Sequence, residues 1–103
     1  MNNEALEYIR VIACRTYGVS YDEIISKNRF KHLIPPRKAL AYFMRNILGY
    51  SYPTIGSLMG HRDHTTAMYL VKKFDKEDFF RRAQISEADL IEKMRGFFET
   101  KLD

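Results

Sequence analysis

The run Gly60-His61-Arg62-Asp63-His64-Thr65-Thr66 offers donors, acceptors and methyl groups with little apolar surface to bury. Gly60 suits a turn and Asp63 suits a helix N-cap, which places Thr65 and Thr66 in the first turn of the helix that follows. An acceptor beside hydroxyl–methyl side chains is the kind of set that reads base edges in a DNA major groove. Asp63 can accept from a cytosine amino group, and the threonines can offer hydroxyls to bases or methyls to thymine. The free amides and positive dipole end of the helix start attract phosphate. Lys72 and Lys73 lie further along the exposed side and suit phosphate contacts, which set register but carry no sequence information.

The same run permits other chemistries, and the rest of the chain does not complete them. His61-x-x-His64 is spaced as a metal pair, but two imidazoles with no accompanying Cys or carboxylate cluster are too few ligands. His61-Arg62-Asp63 matches a kinase catalytic triplet without the Gly-rich loop or strand lysine that a kinase needs. A small nuclease using His61, His64 and Asp63 stands as the enzymatic alternative. The expectation is a non-enzyme with no metal, no cofactor and no small-molecule substrate.

Charge points to the same partner class. The chain carries a net +4, but residues 24–74 hold nine Lys and Arg against Asp63 alone, and both flanks are mildly acidic. A basic centre of this kind suits a polyanion, here double-stranded DNA. Residues 28–34, Asn-Arg-Phe-Lys-His-Leu-Ile, have weak periodicity and read as a basic loop. An arginine on such a loop can enter a neighbouring minor groove, where A·T-rich DNA has enhanced negative potential. Arg29 is the candidate, with Lys31, Arg37, Lys38 and Arg45 lining the backbone.

The elements that must position these groups are helices. Leu6, Ile9, Ile12, Ala13 and Tyr17 predict a first helix over residues 4–17. Ser20 and Glu23 form a capping-box pattern for a short second helix over 21–27. Pro35-Pro36 marks the start of a third, about 36–48, with Leu40, Phe43, Met44 and Ile47 as its apolar stripe. Ser51 can cap a fourth over 52–59, with Ile55, Leu58 and Met59 inward. In the fifth, from Asp63, the inward stripe is Ala67, Leu70, Val71 and Phe74, leaving Thr65, Thr66, Tyr69, Lys72 and Lys73 outside. Ser86 and Asp89 repeat the capping pattern before a final amphipathic helix at about 86–102 carrying Leu90, Met94, Phe97 and Phe98.

The expected fold is all-α, about six helices in one domain spanning residues 1–103. The Phe79-Phe80 and Phe97-Phe98 pairs either dock the last helix on the bundle or offer a protein partner an apolar surface. No apolar run approaches the roughly 18–20 residues of a membrane span, so no membrane partner is expected. The N-terminus lacks a signal-like segment, and Cys14 alone forms no internal disulfide. Both fit a cytoplasmic, nucleoid-associated protein.

Gly60-His61-Arg62-Asp63-His64-Thr65-Thr66 resembles the Gly-Gly-Arg-Asp-His-Thr-Thr signature of the C-terminal DNA-binding domain of the bacterial replication initiator DnaA. Pro36-Arg37-Lys38-Ala39 is similar to that family's entry to its long helix. Ser51-Tyr52-Pro53-Thr54-Ile55-Gly56 is similar to its Ser-Leu-Pro-Glu-Ile-Gly helix, and Val19–Ile24 to its loop and short second helix. The resemblance covers about residues 4–75. It implies a Trp-repressor-like bundle built around a helix-turn-helix, binding the DnaA box, a short non-palindromic site with a T/A-rich end. It implies Arg29 in the minor groove, Asp63, His64, Thr65 and Thr66 in the major groove, and Tyr52 and Pro53 near thymine methyls. Lys31, Arg37, Lys38, Arg45 and Lys73 would hold phosphates; Arg62 and Lys72 belong with them. His61 stands where the signature has its second glycine, which either alters the turn or adds a phosphate contact.

No Gly-rich phosphate loop precedes the matched region, so occupation of boxes without ATP-driven melting of an origin is expected. Two roles stay open: the reader module of a larger initiator, or a stand-alone regulator of phage or plasmid type that competes for its sites. The C-terminal helix is the candidate surface for a protein partner.

Overall fold

The computed structural model describes residues 3–99. They form α1 (Asn3–Tyr17), α2 (Tyr21–Ile25), a 3-10 turn (Lys31–Leu33), α3 (Ile34–Asn46), α4 (Tyr52–Leu58), α5 (His64–Lys72), α6 (Lys76–Ala83) and α7 (Glu87–Glu99). No strand occurs among the described residues, so the fold is all-α as expected. No helix is long and apolar enough to cross a membrane.

α3 is the central element, packed against both α1 and α5, with α4 against α5. One continuous core joins Ile9 and Ala13 of α1, Leu40, Phe43 and Met44 of α3, Ile55 and Met59 at α4, and Ala67 and Leu70 of α5. Local chemistry sets the boundaries. The Ser20 hydroxyl accepts from the Glu23 amide at 3.1 Å while Glu23 Oε1 accepts from the Ser20 amide at 3.0 Å, a complete capping box. α2 stops at Ile25, two residues before the expected end, because the Ser26 hydroxyl donates to Glu23 O at 2.6 Å and the chain turns out. α3 opens at Ile34, earlier than expected. Pro35 fits its first turn, where an amide would have no partner, and the 3-10 turn feeds it directly. The expected loop 28–34 is therefore irregular only in its first half.

α6 was not expected as a separate helix. Its N-cap is Asp75, whose carboxylate accepts from the Asp78 amide at 3.0 Å. Glu77 and Asp78 fall in its first turn and Arg81 and Arg82 in its last, matching the helix dipole. It also corrects one expected surface: Phe79 is fully buried, its ring 5.0 Å from Phe43, 5.8 Å from Phe74 and 6.1 Å from Tyr17. Phe79 therefore belongs to the core and cannot face a partner. In α7, Leu90 and Met94 are buried, Phe97 packs on Tyr8 at 5.7 Å, and Phe98 is exposed. The stretch 100–102 of the expected final helix lies outside the described residues.

Candidate nucleic-acid interface

α4, a five-residue turn and α5 form a helix-turn-helix whose two helices pack closely. Ser51 caps α4, its hydroxyl accepting from the Thr54 amide at 3.2 Å, and Pro53 sits exposed in the first turn. Tyr52 is half-buried, with the Arg45 guanidinium 4.4 Å from its ring centroid. Arg45 also donates to Tyr50 O at 3.0 Å, which ties the end of α3 to the start of α4.

The turn is tight because two glycines allow backbone to meet backbone. The Arg62 amide donates to Gly56 O at 2.8 Å, and a Cβ on Gly56 would lie 2.1 Å from Arg62 O. Gly60 has φ +88°, and a Cβ there would lie 2.1 Å from Ile25 O. His61 follows at φ +60°, so two consecutive residues take left-handed conformations, one of them carrying a side chain. The position where the signature has its second glycine is thus held at positive φ, and here it carries a side chain.

Asp63 then caps α5. Its Oδ1 accepts from the Thr65 amide at 3.0 Å and lies 2.9 Å from His64 Nδ1. The Thr65 amide, with the neighbouring His64, holds the Asp63 carboxyl below its usual range, so it is ionised at neutral pH. Asp63, His64, Thr65 and Thr66 are all exposed, together at the leading end of α5. The trailing side is buried, with Ala67 at 1% and Leu70 at 7% exposure. Met68, Tyr69, Lys72 and Lys73 continue the exposed face.

Arg37 and Arg62, both expected on phosphates, are placed differently. Arg37 is 7% exposed. Its Nε donates to Ile24 O at 2.8 Å, Nη1 to Asn28 O at 2.9 Å, and Nη2 to Ser26 O at 2.9 Å and Glu23 O at 3.2 Å. Arg62 is half-buried; Nη2 donates to the same Ser26 O at 2.8 Å and Nη1 donates to Met59 O. Burial lowers both guanidinium pKa values, and for Arg37 the nearby Arg62 charge adds to it. The reason is local. The carbonyls at the end of α2 lose their helical partners and are turned inward, and the planar donor forks of arginine satisfy them. The two side chains act as pins holding the basic segment against α3 and against the turn before α5.

Lys27, absent from the expected contacts, adds a third tie by donating to Gly60 O at 2.7 Å. Only the tertiary approach of that carbonyl marks it out; nothing in the local sequence does. The pinned segment then presents Arg29, Phe30, Lys31 and His32, all exposed. Lys38 is half-buried and lines a cleft with Tyr17, Pro35, Phe74, Asp75 and Asp78, where two carboxylates oppose an anion. Lys31, Arg45, His61, Lys72 and Lys73 are exposed. The structure thus brings together an exposed polar helix start and a cationic loop fixed to the turn ahead of it.

Comparison with known proteins matches residues 6–74 to the family model described as the bacterial dnaA protein helix-turn-helix. The chromosomal replication initiator protein DnaA of Chloroflexus aggregans is 31% identical over 94 residues, 87% of this chain and 20% of the relative. That of Rhizobium johnstonii is 35% identical over 71 residues, 69% of this chain and 15% of the relative. That of Lactococcus lactis subsp. cremoris is 34% identical over 73 residues, 71% of this chain and 16% of the relative. The chain therefore spans a fifth or less of the length of these relatives. No solved structure gives a significant match.

Proposed function

The chain belongs to the bacterial DnaA helix-turn-helix family, and we propose that it binds a DnaA-box-like site in double-stranded DNA, in replication initiation or its regulation. α5 enters the major groove with Asp63, His64, Thr65 and Thr66 on base edges. Tyr52 and Pro53, at the start of α4, approach thymine methyls. Arg29 enters the adjacent minor groove at the T/A-rich end of the site. Lys31, Arg45, His61, Lys72 and Lys73 hold phosphates; Arg37 and Arg62 hold the loop and turn in place instead.

The observation that carries this reading is the exposed, capped start of α5 beside a cationic loop tied to the same turn. A helix start that buried its first turn would have no use for a second basic element fixed at its side. The reading serves a reader module of a larger initiator, the named relatives being replication initiator proteins of greater length, and equally a regulator competing for initiator sites.

Selection of duplexes from a random pool, followed by anisotropy titration at two salt concentrations, tests it. Enrichment of one short non-palindromic sequence with a T/A-rich end, bound with a steep salt dependence, is expected. A pool that returns unenriched overturns the reading. Incubation of the selected duplex with divalent ions addresses the nuclease alternative: intact DNA removes it, and cleavage lost in His64→Ala would establish it.

A further inference from the structure

Phe30 is the most exposed large hydrophobic side chain among the described residues, at 59%. It does not sit on a loose loop. Arg37 holds Asn28 O at 2.9 Å on one side, and on the other the Leu33 amide donates to Phe30 O at 3.0 Å with Leu33 itself fully buried. The His32 ring lies nearly parallel to it, 17° between planes and 5.8 Å between centroids, and His32 Nε2 is 4.0 Å from Glu23 Oε2. One side of the phenyl ring is therefore braced, and the rest is offered to solvent.

The surroundings select the partner. Arg29 and Lys31 flank the ring in sequence and are exposed, and Lys27 lies three residues upstream. Among residues 27–34 the one other exposed large hydrophobic side chain is Ile34, at 40%, and two such side chains are far too little for a stable protein interface. A single exposed aromatic ring on an anchored backbone among cations suits a nucleic acid, whose phosphates meet the cations while its sugars and bases meet the ring. Apolar side chains beside an arginine in the minor groove act as wedges at base steps, and T/A-rich DNA supplies the flexible steps that open at least cost.

We propose that Phe30, braced by His32, enters the minor groove beside Arg29 and wedges into a base step at the T/A-rich end, so that binding kinks the duplex there. This rests on the DNA-reading proposed above. The full chain is titrated against the selected duplex carrying 2-aminopurine at successive steps of that end, with a dye pair on the duplex termini reporting the bend. Wild-type protein is expected to raise fluorescence at one step and to shorten the end-to-end distance. Phe30→Ala is expected to bind about 10-fold more weakly and to lose both signals, while Phe30→Leu keeps part of each. Circular dichroism should show the fold unchanged in both variants, because the side chain is exposed.

Equal affinity, fluorescence and bend in Phe30→Ala would overturn the wedge with the DNA-reading intact. Weaker binding by Phe30→Ala with no wild-type fluorescence rise also overturns it, leaving a surface contact. Single strands that bind as tightly as duplex in a Phe30-dependent way make the ring a single-strand stacker and overturn it again. A wild-type chain that binds no selected duplex overturns the DNA-reading, and the wedge falls with it.

Discussion

The aromatic core between α1, α3 and α6 and the basic face beside α5 are both built on buried side chains, yet they are held by different forces. Phe79 sits among rings at 5.0 to 6.1 Å from Phe43, Phe80, Phe74 and Tyr17, and its contribution is apolar area and ring contact. Arg37 is almost as deeply buried but is surrounded by four main-chain carbonyls at 2.8 to 3.2 Å. The first arrangement excludes water from a core; the second fixes the path of a loop without burying what the loop displays. The surface proposed to meet DNA could not be stabilised by sinking the side chains it would present. Here the backbone behind Arg29 is tied down and the side chains in front stay free.

The contrast is sharpest in the two substitutions with the largest expected effect. Phe79→Ala should destabilise the fold by about 3–5 kcal/mol, read from urea unfolding, since it empties a ring-lined site. A loss below about 1 kcal/mol would show that the site collapses and that the aromatic cluster is not what holds α6. Arg37→Ala should cost about 2–4 kcal/mol, because buried carbonyls lose charged donors and gain no others. Arg37→Lys should recover less than half of that, as an ammonium cannot reproduce the planar fork. Arg37→Ala with unchanged stability would break the comparison outright.

Much of this division was readable in the sequence, and the parts that were not share a cause. Ser20, Ser51 and Asp63 cap the helices that their types and offsets indicate, because capping is decided within a few residues. The exposed Thr65 and Thr66 against buried Ala67 and Leu70 follow from helical period alone. α6 was missed because Lys-Glu-Asp-Phe-Phe-Arg-Arg-Ala sets its two aromatics side by side instead of along a stripe. Asp75 and the acid-to-base order were the available signals. The burial of Arg37 had no local signal. An arginine four residues from Ala41 and eight from Arg45 reads as a solvent-facing row, and only the fold brings the carbonyls of residues 23–28 to it. Polar burial of this kind is decided by distant backbone, which composition and period do not encode.

Thr66→Ala sharpens the comparison from the other side. Being exposed, it should leave stability within about 0.5 kcal/mol of wild type. It should cost about 1–3 kcal/mol of discrimination between the selected duplex and a scrambled one, measured by anisotropy. Equal loss on both duplexes would mean that this position touches phosphate and reads no base.

The smallest expected effect tests the turn that joins the two regions. His61 has φ +60°, a conformation that is unfavourable for a residue with a Cβ, although histidine tolerates it better than most. His61→Gly removes that strain while making the unfolded chain more flexible, and the two terms oppose each other. The strain is the larger, so a net gain of up to about 1 kcal/mol in urea unfolding is expected. A gain in stability with weaker binding to every duplex and a flatter salt dependence would show that the imidazole contacts phosphate from a strained backbone position. A gain with unchanged binding would leave it a turn residue alone. Lower stability in the glycine variant would show that the added flexibility of the unfolded chain outweighs the strain at this position.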